Sequence, residues 1–253
     1  CQLWHVGRMS DPIYLDGKKP LAPSAVRPAG HVSLVRPEKS FEEPRALSIA
    51  EIKDVIQQYK HGAENAMKAG FDGVELHGAN GYLIDQFLQD STNKREDEYG
   101  GSVENRMRFM LEAVDAVVSV WGADRVGIHL APRGDAHDMG DSDLRGLFLK
   151  VAGELGKRGL AFICARENFG TPPLGPGMNE AFGGAYIANE GFTADSAREA
   201  ISSGKADAVA FGKAAIANPD LPERFRTGAP LNEPKPETFY GYGPEGYTDY
   251  PSL

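Results

Sequence analysis

Sulfur is scarce in this chain, and long apolar runs are missing. The only two cysteines are Cys1 and Cys164, which excludes a disulfide framework and leaves no zinc-type ligand spacing. No stretch approaches the roughly 18 apolar residues needed to span a bilayer, so no membrane association is expected. Positive charge is in deficit, 27 Lys and Arg against 36 Asp and Glu. The resulting net charge of −9 argues against a nucleic-acid binder, which normally carries a basic stripe. No internal repeat or low-complexity tract is seen, no signal peptide is expected, and the default location is the cytoplasm. An initiating Met is also missing. The chain opens on Cys1 and runs at once into the strand-like Gln2-Leu-Trp-His-Val, so it is expected to be a fragment.

The 253 residues, 41% apolar and 25% charged, suit one globular domain over 1–253, near the size of a (β/α)8 barrel. Strand patterns fall at Leu3–Val6, Gly73–Leu76, Val126–Leu130, Leu160–Ala165, Ala185–Ala188 and Ala208–Phe211. Amphipathic helices alternate with them. Ser48-Ile-Ala-Glu51 is a capping box before apolar positions Ile49, Ile52, Val55, Ile56, Tyr59, Ala63, Ala66 and Met67. Ser102, Asp143 and Thr193 are N-caps for further helices, and a short helix follows Gly212. Alternation of this kind predicts a parallel sheet with helices outside it. Residues 9–46, rich in proline, read as a long excursion over the carboxyl ends of the strands. Gly170–Gly184 reads as a second irregular connection, and Lys94–Glu98 as a solvated loop.

The chemistry concentrates in Phe71–Gln86. Here a short buried strand is followed by His77, Asn80 and Tyr82, and Leu83, Ile84, Phe87 and Leu88 then restart at helical spacing. The trio is therefore expected just past the strand's end, where ligands collect in parallel α/β folds. An imidazole and a carboxamide can both donate to one oxygen, and a phenol can supply a proton. The same residues also read as a helix cap and core filler. Asp135, His137, Asp138, Asp141 and Asp143 cluster after the third strand candidate, but their spacing matches neither a calcium loop nor a zinc site. No metal is expected.

Three stretches together carry a resemblance. They are Gln2-Leu-Trp-His5-Val-Gly7-Arg8, His77-x-x-Asn80-x-Tyr82, and Asn93-Lys-Arg-Glu-Asp-Glu-Tyr-Gly-Gly-Ser-Val-Glu-Asn-Arg106, with Gly246-Tyr-Thr-Asp-Tyr-Pro251 near the C-terminus. In this order they resemble the old yellow enzyme family, most nearly its bacterial xenobiotic, nitroester and N-ethylmaleimide reductases. The resemblance implies a TIM (β/α)8 barrel of which strands three to eight are present. It implies FMN as cofactor, NADPH or NADH as reductant, and an electrophilic alkene, nitro compound or nitrate ester as substrate. His77, Asn80 and Tyr82 become the catalytic residues. Gln2, His129, Asn189, Glu190, Gly191, Gly212, Lys213 and Tyr247 become the flavin contacts.

Two positions depart from the family pattern. Lys213 stands where an arginine is usual, giving up a bidentate fork on phosphate. His129, in Gly127-Ile-His-Leu-Ala-Pro132, stands where the family has an arginine beside the flavin's N1 and C2 carbonyl. A histidine serves an anionic flavin edge as a cation or, more weakly, as a neutral N–H donor; Arg133 is the other cation at hand. A different kind of reading also applies: a catalytically silent partial barrel, requiring a dimer partner or a complementing N-terminal chain.

Overall fold

The computed structural model describes residues 1–32, 35–134, 136–167 and 173–253. Six strands form one wholly parallel sheet: β1 (Gln2–Leu3), β4 (Val74–Gly78), β5 (Val126–Leu130), β6 (Phe162–Arg166), β7 (Ala185–Asn189) and β8 (Ala208–Ala210). They neighbour one another in chain order, β1-β4-β5-β6-β7-β8, the arrangement of successive strands in a (β/α)8 barrel. Between β1 and β4 lie two short strands, β2 (Leu21–Ala22) and β3 (Arg45–Ala46), which pair with each other. The long excursion is thus tied between residues 21–22 and its C-terminal end at 45–46.

Helices cover one face of the sheet: α1 (Ile49–Lys68), α2 (Leu83–Leu88), α3 (Val103–Trp121), α4 (Leu144–Lys157), α5 (Gly175–Phe182), α6 (Ala194–Ser202), α7 (Lys213–Ala217) and α8 (Leu221–Thr227). Their starts follow the local signals. Ser48 and Glu51 form a reciprocal capping box, and Ser102, Asp143 and Thr193 each accept the backbone N–H three residues on. Strand residues alternate between faces. Leu76, Ile128, Leu130 and Ile163 point outward and join Ile52, Val55, Phe109, Val114, Phe148 and Val151 in the core. Burying each such side chain contributes about 1.5–3 kcal/mol. The other face carries Glu75, His77, His129, Cys164 and Arg166 in register.

Several local expectations need correction. The first strand is Gln2–Leu3, not Leu3–Val6, because the chain turns as Met9 N–H bonds the Val6 carbonyl. β4 runs on through His77 and Gly78, so His77 is a strand residue. Helix α5 interrupts the presumed irregular connection; Pro176 fits its first turn and Gly183 ends it in the left-handed region. Ile49 and Met67 are exposed, outside the buried stripe of α1. Lys94–Glu98 is not simply solvated. Arg95 is almost enclosed, bonding the carbonyls of Pro23 and Leu47 and the carboxylate of Asp97.

Candidate active site

His77, Asn80 and Tyr82 lie at the carboxyl end of β4 and in the turn that follows it. His77 occupies its fourth position, paired in register with His129 of β5. The two imidazoles stack with centroids 5.3 Å apart. Tyr82, the N-cap residue of α2, sets its ring edge-on to His77 at 5.1 Å, and Trp4 packs against both rings. Between them Asn80 adopts φ +58°, a left-handed conformation that asparagine tolerates better than most residues. That kink turns the chain from strand to helix within four residues.

Protonation states follow from burial and hydrogen bonding. Burial, reinforced by His129, lowers the His77 pKa to about 4, so the ring is neutral near pH 7. Its Nδ1 accepts the Ala79 N–H at 3.3 Å, which leaves the proton on Nε2. His129 is lowered to about 4 as well, by burial and then by the charge of Arg166. Only the neutral-donor form of His129 therefore remains at neutral pH. Its Nε2 is buried without a hydrogen-bond partner. Burial, followed by the neighbouring Tyr240, raises the Tyr82 phenol above its ordinary value, keeping its proton in place.

Arg166, at the end of β6, places a cation on this face and is not among the residues that the resemblance implies. Its Nη1 donates to Asn80 Oδ1 at 2.8 Å and its Nη2 to Glu190 Oε1 at 2.9 Å. The signal was available. Phe162, Cys164 and Arg166 alternate onto one face, and a charge ending a parallel strand marks the functional end. Arg133, the other cation considered, is ion-paired with Glu167 at 3.2 Å.

The remaining expected residues are distributed around this centre. Gln2 lies in β1, its Nε2 donating to Glu75 Oε2 at 2.6 Å. Asn189 ends β7 and donates to the Ala210 carbonyl of β8. Glu190 and Gly191 both have positive φ, +86° and +76°. Gly212 has no atom within 4 Å of where a Cβ would sit, and Lys213 opens α7 in solvent. Tyr247 is half-exposed and accepts the backbone N–H of Tyr240; it is Tyr240 that acts electrostatically on Tyr82. The acidic loop is used structurally: Asp143 caps α4, Asp141 pairs with Arg106, and Asp138 accepts the Ala29 N–H. Asp135 lies outside the described residues. No metal-binding group of His, Cys, Asp or Glu occurs among the described residues. A cavity of about 360 Å³ lined by Ala165, Tyr186 and Ala188 opens on the opposite, helix-covered face and takes no part here.

Parallel strands joined by helices, with polar groups gathered at the strands' carboxyl ends, define an enzyme of the (β/α)8-barrel class. The chain belongs to the NADH:flavin oxidoreductase / NADH oxidase family, whose pattern matches residues 1–232. 12-oxophytodienoate reductase 2 of Arabidopsis thaliana is 45% identical over an alignment of 276 residues, covering all of this chain and 71% of that protein. A probable flavin mononucleotide-dependent alkene reductase of Leishmania infantum is 44% identical, with 72% of it covered. Among solved structures, the old yellow enzyme homologue from Zymomonas mobilis superposes with a TM-score of 0.95 at 42% identity, over all of this chain and 73% of that one. Morphinone reductase in complex with tetrahydroNAD does so at 0.95 and 45%, with 72% covered. The resemblance to old yellow enzymes and the partial barrel are thus borne out. These similar identities tie the chain to the family and not to its bacterial xenobiotic branch.

Proposed function

We propose that this chain reduces activated alkenes with FMN as cofactor and NADPH or NADH as reductant, and that nitro compounds and nitrate esters use the same site. The observation that carries the reading is that the neutral His77 imidazole, with its proton on Nε2, and the Tyr82 phenol pack together at the end of β4, with Asn80 in the turn between them. His77 and Asn80 hold the carbonyl or nitro oxygen. As negative charge develops there, these fixed dipoles stabilise it without reorganising. Both donors are neutral, so the site favours a neutral polarised acceptor over a ready-made anion. Tyr82 delivers a proton to the α-carbon, and its phenolate recovers one from solvent. When bound, FMN supplies the hydride taken up at the β-carbon.

Donors present on the inner face fit that cofactor. The unpartnered His129 Nε2 suits a flavin carbonyl, the Gln2 carboxamide oxygen suits an N–H of the pyrimidine edge, and Gly212 with Lys213 suits the phosphate. A cytoplasmic setting goes with this reading. A second reading keeps the site but makes it depend on a complementing chain or dimer partner. It rests on the sheet, in which β1 and β8 each pair on one side only among the described residues.

The test is a titration of the purified chain with FMN, followed by 2-cyclohexenone and NADPH. Stoichiometric binding and enone reduction by the monomer support the first reading. Binding only after a peptide supplies further strands supports the second. No binding under either condition overturns both.

A further inference from the structure

We propose that Arg166 is a positioning residue that decides which end of the Asn80 carboxamide faces the substrate. The inference rests on the role given above to Asn80. A carboxamide presents an acceptor oxygen at one end and a donor NH2 at the other, nearly equal in shape. A site that must donate to a carbonyl or nitro oxygen needs the NH2 end outward. Nothing in Asn80 itself makes that choice.

Arg166 makes it, because a guanidinium only donates. Its Nη1 lies 2.8 Å from Asn80 Oδ1, a contact that the NH2 end cannot replace without opposing two donors. The arginine is itself held. Its Nη2 pairs with Glu190 Oε1 at 2.9 Å, and β6 carries it on the same face as His129 through the register of His129 with Cys164. Each end nitrogen thus has its own partner, and the fork bridges from the turn after β4 to the turn after β7. Neither basic residue near β5 substitutes, since His129 is neutral and Arg133 is ion-paired with Glu167. With the carboxamide oriented, His77 and Asn80 present two donors and no acceptor. The site then selects substrates by an acceptor oxygen, whichever of carbonyl, nitro or nitrate carries it.

The test uses Arg166→Met, which removes the donors, and Arg166→Lys, which keeps a donor-only cation. In the purified chain, the Asn80 side-chain amide is followed by ¹⁵N NMR, with the methyl signals of Ile128 and Ile163 reporting the fold. One sharp NH2 pair is expected in wild type and Arg166→Lys, and a doubled or broadened pair in Arg166→Met. An unchanged pair in folded Arg166→Met overturns the proposal. So does a doubled pair in Arg166→Lys, which decides the matter if the methionine variant does not fold. With FMN bound, kcat/KM for 2-cyclohexenone should fall about 10-fold in Asn80→Ala and in Arg166→Met, and no further in the double variant. Additive losses also overturn the role of Arg166. An Asn80→Ala variant with undiminished kcat/KM instead removes Asn80 from the reaction, and the NMR comparison still decides what Arg166 does.

Discussion

The Asp85 carboxyl, fully buried in the first turn of α2, accepts the Gly81 N–H at 2.9 Å, directly beneath the turn that carries Asn80 and Tyr82. Its other oxygen accepts from Gln89 Nε2 at 2.7 Å. Burial pushes its pKa up to about 7, against the lowering effects of Gln89, Gly81 and Arg8. The folded state therefore holds this proton over a range where the unfolded chain has released it. Stability is lost as pH rises from about 4 to about 7, by up to about 4 kcal/mol for a shift of this size. Asp85→Asn removes the titration while keeping an oxygen for Gly81. Its new NH2 meets Gln89 Oε1, a buried atom without a partner, once that amide turns over. The variant should match or exceed wild type in thermal stability at pH 8 and lose its advantage at pH 5. Melting curves across pH check this, and parallel curves for the two proteins would count against it.

His77 and His129 titrate in the opposite sense. Both folded pKa values lie near 4, below the ordinary 6.5. Their contribution is complete above about pH 6.5 and is lost as pH falls toward 4. Imidazole signals of the two residues should stay in the neutral form at pH 6 by NMR. His129→Gln should weaken acid destabilisation between pH 6.5 and 4, while the neutral half of the range is unaffected. A His129 signal that titrates near 6.5 would restore it as a cation facing the flavin.

Much of this site is legible in the sequence because local chemistry dictates it. Ser48, Ser102, Asp143 and Thr193 each stand before a helical apolar pattern and cap as their residue types predict. Asn80 and Tyr82 sit between two periodicities, which marks a strand-to-helix turn, whereas His77 is still within β4. Helix α5 is obscured by its own composition, since Gly175, Pro176 and Gly177 read as loop while in fact forming a first turn. Arg166 and Arg95 are hidden for another reason. Their partners, Asn80 and Glu190 in one case and Pro23 and Leu47 in the other, lie 24 to 86 residues away. No local pattern encodes a pairing across that separation.

Arg95 is expected to matter to folding more than to chemistry. Its Nη1 bonds the Pro23 and Leu47 carbonyls at 2.9 and 2.6 Å while Nε and Nη2 engage Asp97. It thereby closes the excursion before α1 onto the loop before α3. Arg95→Ala strands two carbonyls and a carboxylate, and should cost about 2–4 kcal/mol. Arg95→Lys should recover less than half, because an ammonium cannot reproduce the fork. Urea denaturation of the three proteins checks both expectations, and an unchanged midpoint in Arg95→Ala would show the clamp to be incidental.

Tyr82→Phe separates the proton from the rest of the reaction. Tyr82 occupies the N-cap position of α2 but its phenol makes no hydrogen bond to the helix, so losing the oxygen leaves the helix start intact. The ring contacts with His77 and Trp4 survive in phenylalanine. What disappears is one O–H, kept protonated by burial and by Tyr240. Reduction of an enone needs that proton at the α-carbon, and losing a positioned general acid should slow it about 10²–10⁴-fold. Consumption of NADPH with dioxygen as acceptor needs no such proton from Tyr82 and should change little. Nitrate ester reduction, which forms no carbon–hydrogen bond at an α-carbon, should also be largely spared. Measuring the three rates on one preparation checks the assignment. Equal loss in all three would make Tyr82 a structural residue, and an undiminished enone rate would move the acid elsewhere.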